Sequence, residues 1–195
     1  MATGRLDRSL DEFAAAVGST GPVAVRGDGT RSAAPSESIR TVRAPSGIVR
    51  VDAAEMVIEC GAATRVDEVR DVLASVDQTV DIPPGGTIGG ALATGRSDLT
   101  RLGHGPVRDV LLQTRYVSGA GKLVTAGGPT VKNVSGFDLC RLLVGSRGTL
   151  GFFADVILRT RPLPPTSTWF RSGREPEDLL TSVYRPVAIL WDGTS

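Results

Sequence analysis

The sequence has few cysteines, and they do not form a metal-binding pattern. Only Cys60 and Cys140 occur in the 195 residues. They lie far apart and form no C-x-x-C pair, so neither a structural zinc nor an iron–sulfur cluster held by this chain alone is expected. Two buried free thiols in a reducing compartment are the simpler expectation.

Long apolar runs and an excess of charge of either sign are also missing. No segment approaches the ~20 apolar residues of a membrane span, and residues 1–10 do not resemble a signal peptide. We therefore expect a cytoplasmic protein without a membrane span. The 22 basic and 21 acidic residues leave a formal net charge of +1, which does not predict a nucleic-acid-binding surface.

Two well-known phosphate-binding loops are absent as well. The chain contains no G-x-x-x-x-G-K-[ST], so a P-loop nucleotidase is not expected. No G-x-G-x-x-G follows the first apolar strand and opens a helix, which argues against a Rossmann dinucleotide fold. Glycine is nevertheless abundant at 24 residues. That number predicts tight turns or close approaches of the backbone to a ligand.

The apolar spacing predicts a mixture of helices and strands. Helical spacing occurs at 6–17, 66–76, 137–144 and 177–183, whereas β-like patterns occur at 23–25, 48–51, 56–60, 107–117, 122–125, 151–161 and 187–191. Prolines near 162–165 predict a linker. The helix and strand beyond it cannot bury a core of their own.

The first of three glycine-rich stretches follows the strand at 23–25. It consists of Arg26, Gly27, Asp28, Gly29 and Thr30. Backbone amides in such a turn can converge on an anion, and glycine lets a phosphate approach closely. An ordinary turn accounts for the same residues equally well.

The second stretch runs from Gly85 to Gly95, and the third from Gly145 to Gly151. If a helix opens at Thr87 or Ile88, its free amides suit a pyrophosphate. A tightly packed helix–sheet contact is the alternative, and the two are compatible. The third stretch could bring backbone donors to a flat ring, or it could simply connect a helix to a strand.

One ordered motif identifies a family that these stretches resemble. It reads Val131-Lys132-Asn133-Val134-Ser135-Gly136-Phe137-Asp138-Leu139 and continues through 141–146 and 148–151. With Thr87 to Gly95 and Arg108-Asp109, it resembles the PCMH-type FAD-binding domain of vanillyl-alcohol oxidase-like and p-cresol methylhydroxylase-like flavoproteins. Within that superfamily the chain is most similar to the FAD-binding subunits of bacterial glycolate oxidases. The resemblance covers roughly residues 5–165 and extends faintly to 190–193.

The resemblance implies a set of residues that bind FAD. The pyrophosphate would lie against Arg26, Gly27, Asp28, Gly29, Thr30, Thr87, Ile88, Gly89 and Gly90. The ribityl chain and isoalloxazine would lie along Ala93, Thr94, Gly95 and Ser97, and the adenine-to-ribityl side near Gly148, Thr149 and Gly151. Some members attach the flavin through a histidine after the first turn. Here that turn reads Gly29-Thr30-Arg31, so non-covalent FAD is expected, and no metal.

His104, the only histidine, is the one candidate for a catalytic base. Its unperturbed pKa of ~6.5 suits proton transfer near neutral pH. It occupies a place where relatives often carry an aromatic residue, so a packing or flavin-edge role is the simpler alternative. The sequence assigns no other catalytic residue.

The resemblance implies an α+β fold in which two small α/β subdomains, within residues 1–165, enclose FAD. Residues 166–195 would be a linker and the incomplete start of a substrate domain. The implied activity is hydride transfer from a small 2-hydroxy acid to FAD, and the implied partners are a second flavoprotein subunit and an iron–sulfur subunit. Two alternatives stay open: a non-catalytic FAD-binding or electron-relay subunit without its own substrate site, and a truncated, inactive remnant.

Overall fold

The structure, a computed structural model, describes residues 2–30, 38–129, 138–191 and 193. The helices are α1 (Ala2–Val17), α2 (Val66–Ala74), α3 (Ile88–Thr94), α4 (Arg101–His104), α5 (Leu139–Leu143) and α6 (Pro176–Ser182), with a 3-10 turn at Val107–Asp109. The strands are β1 (Val23–Val25), β2 (Arg40–Val42), β3 (Ile48–Asp52), β4 (Val57–Gly61), β5 (Gln78–Thr79), β6 (Leu111–Ser118), β7 (Leu123–Gly127), β8 (Gly151–Arg159) and β9 (Arg161–Pro162). The expected α+β class is confirmed.

A five-stranded sheet is the centre of the fold. Its order is β3-β4-β8-β6-β7, and every neighbouring pair is antiparallel. Strand β8 lies in the middle, and nearly all of its residues are buried. A strand covered on both faces reads as an almost continuous apolar run, which is what 151–158 shows. Asp155 is the exception within that run.

The buried apolar residues form two clusters. One contains Leu10 and Phe13 of α1 together with Val117 and Ala154. The larger cluster joins α2 and α3 to the central sheet. Phe152 packs on the first cluster and Phe153 belongs to the second, because successive side chains of a strand point to opposite faces.

A small parallel sheet holds the segment that leads into the first glycine-rich turn. Strands β1 and β2 pair in register from Val23 opposite Arg40 to Val25 opposite Val42. The Arg40 guanidinium donates to the carbonyl oxygens of Ala16 and, at 2.8 Å, of Val17. A cation at these last carbonyls stabilises the end of α1. This contact joins α1 to the β1–β2 pair.

Two of the expected strands differ in the structure. The segment expected as a strand over 107–117 begins with the 3-10 turn, and β6 starts only at Leu111. The strand expected at 187–191 is wrong: these described residues contain no strand. A strand needs a hydrogen-bonded neighbour, and the Val187 carbonyl instead accepts a hydrogen bond from the amide of Gly103 in α4.

Two further expected helices are present in the structure. The helix expected over 177–183 is confirmed as α6, and that over 137–144 as the shorter α5. Residues 131–137, Arg31 and Asp192 lie outside the described residues. Among the helices that the structure describes, none has the length and apolar character needed to cross a bilayer.

Candidate functional site

The first glycine-rich stretch forms an open turn at the end of β1. The amide of Arg26 donates to the Val42 carbonyl at 3.0 Å, which is the last bond of the β1–β2 pair. Gly29 has a φ of 70°, a conformation that glycine adopts without strain. No described residue accepts a hydrogen bond from the amides of Gly27, Asp28 or Gly29. The turn therefore offers consecutive backbone donors to a ligand.

The first and second stretches touch each other at Gly27 and Thr87. A Cβ atom on Gly27 would overlap Oγ1 of Thr87 and lie 2.9 Å from its Cγ2. Asp28 accepts a 2.8 Å hydrogen bond from Arg65 Nη1, and Arg65 forms a β-bridge with Thr87. Two contacts thus fix the turn at 26–30 against the residue that precedes α3.

The start of α3 is saturated with hydrogen bonds inside the protein. The Ile88 amide donates to the Thr64 carbonyl at 2.9 Å and the Gly89 amide to the Ala62 carbonyl at 2.7 Å. Oγ1 of Thr87 accepts the Gly90 amide at 3.2 Å and caps the helix. The expectation that these amides are free is therefore wrong. The alternative of a tight helix–sheet contact describes them instead.

The third stretch covers the other end of α3. The Gly145 amide donates to the Leu92 carbonyl and the Arg147 amide to the Ala93 carbonyl, both at 2.9 Å. Gly95, at a φ of 66°, caps the helix, and a Cβ there would lie 3.1 Å from Gly145 Cα. The carbonyls at a helix end need such partners. The loop at 145–151 is thus held against α3.

A cavity of about 360 Å³ lies where the three stretches meet. More than half of its lining residues are glycine or alanine, so the walls are mostly backbone and Cβ atoms. The charged residues that line it are Arg26 and Arg147, and no carboxylate appears among the described lining residues. Neither guanidinium forms an ion pair with a described residue. The cavity therefore suits an anionic ligand with a flat or slender body.

The cavity brings together nine of the sixteen residues expected to bind the cofactor: Arg26, Gly27, Thr87, Gly89, Gly90, Ala93, Gly148, Thr149 and Gly151. The other seven lie outside its lining: Asp28, Gly29, Thr30, Ile88, Thr94, Gly95 and Ser97.

Most residues outside the lining have a visible structural role. Ile88 is fully buried in the larger cluster. The Thr94 hydroxyl donates to the Gly90 carbonyl at 2.8 Å, and Ser97 Oγ accepts from the Val107 amide at 3.1 Å. Thr30 is exposed. These residues shape the segments that surround the cavity.

Several lining residues were not expected at the site from the sequence. Ala44, Ala62 and Ala63 line the cavity although they lie outside the glycine-rich stretches. Arg147 lies inside the third stretch, and its place between Gly145 and Gly148 was a signal that could have identified it. The alanines give no local signal, because small residues at strand ends are common.

His104 lies outside the cavity in a cluster with Asp81 and Arg161. Its Nδ1 is 3.0 Å from Asp81 Oδ1. Asp81 also accepts a 2.8 Å hydrogen bond from Arg161 Nε. The position of His104 outside the cavity lining, in contact with Asp81, favours a packing role over proton transfer at the cavity.

The two cysteines are buried and protonated at neutral pH. Burial raises the pKa of Cys60 to about 12 and that of Cys140 to about 11, with nearby carboxylates adding to both shifts. A thiol with so high a pKa is a poor nucleophile and metal ligand. The described part of the chain contains no cluster of three or more potential metal ligands.

The fold and the cavity define a class: an α+β nucleotide-binding domain with a glycine-rich, cationic cleft. Comparison with known families specifies it further. Residues 8–127, more than half of the chain, match the model described as FAD binding domain, so the chain belongs to this family. Its cofactor is FAD, and the unpaired arginines and free turn amides are groups that a diphosphate requires.

Curated relatives include subunits and enzymes that are longer than this chain. Glycolate oxidase subunit GlcE of Escherichia coli K12 is 38% identical over 135 residues, which cover 67% of this chain and 39% of that protein. D-lactate dehydrogenase of Archaeoglobus fulgidus is 33% identical over 152 residues, covering 72% and 33%. The chain thus matches between about a third and two fifths of these relatives' length.

Solved structures show the same fold. An alkyldihydroxyacetonephosphate synthase superposes with a TM-score of 0.64 at 18% identity, covering 84% of this chain and 31% of the synthase. At that identity the likeness extends to the fold alone. It agrees with the expected α+β fold.

Proposed function

We propose that this chain is the FAD-binding part of a glycolate oxidase-like flavoprotein that oxidises a small 2-hydroxy acid. The observation that carries the proposal is the cavity at the junction of the three glycine-rich stretches, where the described charged residues are Arg26 and Arg147. The names of the relatives, glycolate oxidase subunit and D-lactate dehydrogenase, supply the substrate class.

The residues around the cavity have separate roles in holding FAD. The amides of 27–29 and the Arg26 guanidinium would bind the diphosphate, since both are donors to anionic oxygen. Thr87, Gly89, Gly90 and Ala93 would form a wall that a flat group can approach. Binding would be non-covalent, because His104 pairs with Asp81 and lies outside the cavity lining.

FAD, when bound, would supply the chemistry by accepting the hydride of the substrate's α-carbon, while the hydroxyl proton passes to solvent. The product is then a 2-oxo acid. The chain's own residues bind and orient the cofactor. Residues 1–165 would be the FAD-binding domain, and 166–195 the linker and beginning of a substrate domain.

The electrons need an acceptor beyond this chain. Cys60 and Cys140 are buried free thiols, and the described residues hold no cluster of metal ligands. We propose a complex with a second flavoprotein subunit and an iron–sulfur subunit, located in the cytoplasm. That the E. coli relative is named a subunit supports this assembly.

The test is anaerobic reduction of the FAD-loaded protein. Glycolate or lactate should bleach the oxidised flavin absorbance, and denaturation should release FAD into the supernatant. Flavin that stays bound to the precipitated chain would contradict non-covalent binding. A chain that takes up no FAD would contradict the proposal as a whole.

A second candidate function is an FAD-binding or electron-relay subunit without its own substrate site. The position of His104 favours this candidate. The histidine, which is the candidate base, contacts Asp81 and does not line the cavity. This candidate predicts full FAD binding, no bleaching by either acid, and bleaching by a chemical reductant such as dithionite.

A further inference from the structure

Arg147 combines three features that set it apart from the other arginines of the described chain. It lines the cavity, it forms no ion pair with a described residue, and its φ is 53°. A positive φ is uncommon for a residue with a side chain and costs free energy. Glycine stands at Gly145 and Gly148 on either side, both with positive φ.

The backbone of Arg147 is held firmly in this conformation. Its amide donates to the Ala93 carbonyl at 2.9 Å, and the neighbouring Gly145 amide bonds to α3 in the same way. Nothing in these bonds requires an arginine side chain, because they use main-chain atoms. Glycine would satisfy them with less strain. These main-chain bonds leave the Arg147 side chain available for a ligand.

The charge distribution around the cavity indicates the kind of ligand. Arg26, on the first glycine-rich stretch, also lines the cavity, and its Nη2 would be 3.1 Å from a Cβ on Gly29. Asp28, in the same turn, already pairs with Arg65 at 2.8 Å. Two arginines without a described ion-pair partner and no carboxylate among the described lining residues favour an anionic ligand in the cavity. A diphosphate carries the charge and the oxygen atoms that both can bind.

The cavity volume limits how much of the cofactor it holds. About 360 Å³ is near the lower end of the ~300–1,000 Å³ range of ligand pockets. A cavity of this size holds part of a dinucleotide rather than the whole molecule. The diphosphate is the part of FAD that carries negative charge, so the arginines would act on it rather than on the ring that carries the redox chemistry.

We propose that Arg147 is a phosphate-binding residue that, with Arg26, clamps the diphosphate of FAD. This inference rests on FAD binding at this cavity. It adds a cationic contact from the third glycine-rich stretch, whose sequence predicts only backbone donors. It also implies that ADP, which carries the same diphosphate, competes with FAD.

The test measures FAD affinity of the full chain over a series of salt concentrations. Arg147→Asn removes the charge and keeps a residue that tolerates positive φ. A charge-assisted hydrogen bond accounts for roughly ten- to a hundredfold in affinity, so FAD and ADP should both weaken by about that factor. The salt dependence of binding should become shallower. The FAD affinity of Arg147→Lys, which keeps the charge, should lie between those of the wild type and of Arg147→Asn.

The controls separate this role from a structural one. Arg171→Asn removes an exposed arginine from the segment after β9 and should leave FAD affinity unchanged. If Arg147→Asn binds FAD as tightly as the wild type, or weakens it without changing the salt dependence, the clamp is refuted. If the wild type binds no FAD, the proposed function fails first, and the two failures remain distinguishable.

Discussion

At the scale of the residue, the site depends on one close contact between Gly27 and Thr87. The contact brings the first turn against the start of α3 without an intervening side chain. Local sequence shows the glycine but not its neighbour, which lies 60 positions further along the chain. A glycine-rich turn at 26–30 was therefore predictable, whereas the packing against Thr87 that requires glycine at 27 was not.

Adding a methyl group at this contact should separate the two segments. We predict that Gly27→Ala lowers the free energy of unfolding by about 1–3 kcal/mol through overpacking and weakens FAD binding. Thr87→Ala removes the overlapping atoms, so the double variant should lose less than the sum of the single variants. Urea denaturation measures both effects.

A matched control is Gly119→Ala, since nothing lies within 4 Å of a Cβ there. It should leave stability and FAD affinity nearly unchanged. Additive losses in the Gly27–Thr87 pair would show that the two residues do not contact each other.

The buried cysteines make a prediction about reactivity and pH. With pKa values of about 12 and about 11, Cys60 and Cys140 should react slowly with a thiol-specific disulfide reagent at about pH 8. Denaturant should expose both thiols. One thiol that reacts rapidly in the folded protein would contradict the burial.

The same shifts set the sign of a stability change. A thiol whose pKa is raised by folding stabilises the fold below the unfolded value of 9.0, and this contribution is lost as pH rises toward about 12. We predict that the free energy of unfolding falls between about pH 8 and about pH 10, and falls less in Cys60→Ala. An equal fall in the free energy of unfolding of the wild type and of Cys60→Ala would contradict the assignment of this pH dependence to Cys60.

At the scale of the element, a buried ion pair joins the two central strands. Arg115 of β6 donates through Nε to Asp155 of β8 at 2.9 Å and also binds Asp7 of α1 at 3.0 Å. The pKa of Arg115 is raised by this hydrogen bond with Asp155. Asp155 is buried, whereas Asp7 is about half exposed.

Because the two carboxylates differ in burial, we expect the Arg115 and Asp7 variants to lose different amounts of unfolding free energy. Arg115→Met removes the cationic partner of the buried Asp155 carboxylate, which keeps only the 3.1 Å hydrogen bond from the amide of residue 115, and should lower the free energy of unfolding by about 3–5 kcal/mol. Asp7→Asn removes an exposed partner and should cost less than about 1 kcal/mol. Equal effects in urea denaturation would contradict the account. Should Arg115→Met not fold, Asp155→Asn in the same chain should restore folding.

Element prediction succeeded where periodicity is local. Helices α1 and α2 and the pair β3 and β4 follow from apolar spacing and turn residues, and the structure has them near the expected bounds. It failed for 187–191, whose apolar residues resemble a strand but find no pairing partner among the described residues. The parallel pairing of β1 with β2 gave no signal, because pairing is a tertiary property.

At the scale of the whole molecule, the cavity is assembled from segments far apart in sequence. The glycine-rich stretches were visible locally, and the family resemblance predicted their common ligand. What the sequence could not show is which amides remain available. Those at the start of α3 are used by the carbonyls of Ala62 and Thr64, whereas those of 27–29 are not used by any described residue.

This difference in amide availability gives the most direct test, which is hydrogen–deuterium exchange of the full chain with and without FAD. The amides of Gly27, Asp28 and Gly29 should exchange rapidly in the free protein and gain the largest protection when FAD binds. The loop at 145–151 should gain protection as well, while buried strand β8 should change little. FAD binding that leaves residues 27–29 unprotected, or that protects only a distant segment such as 183–191, would contradict the account.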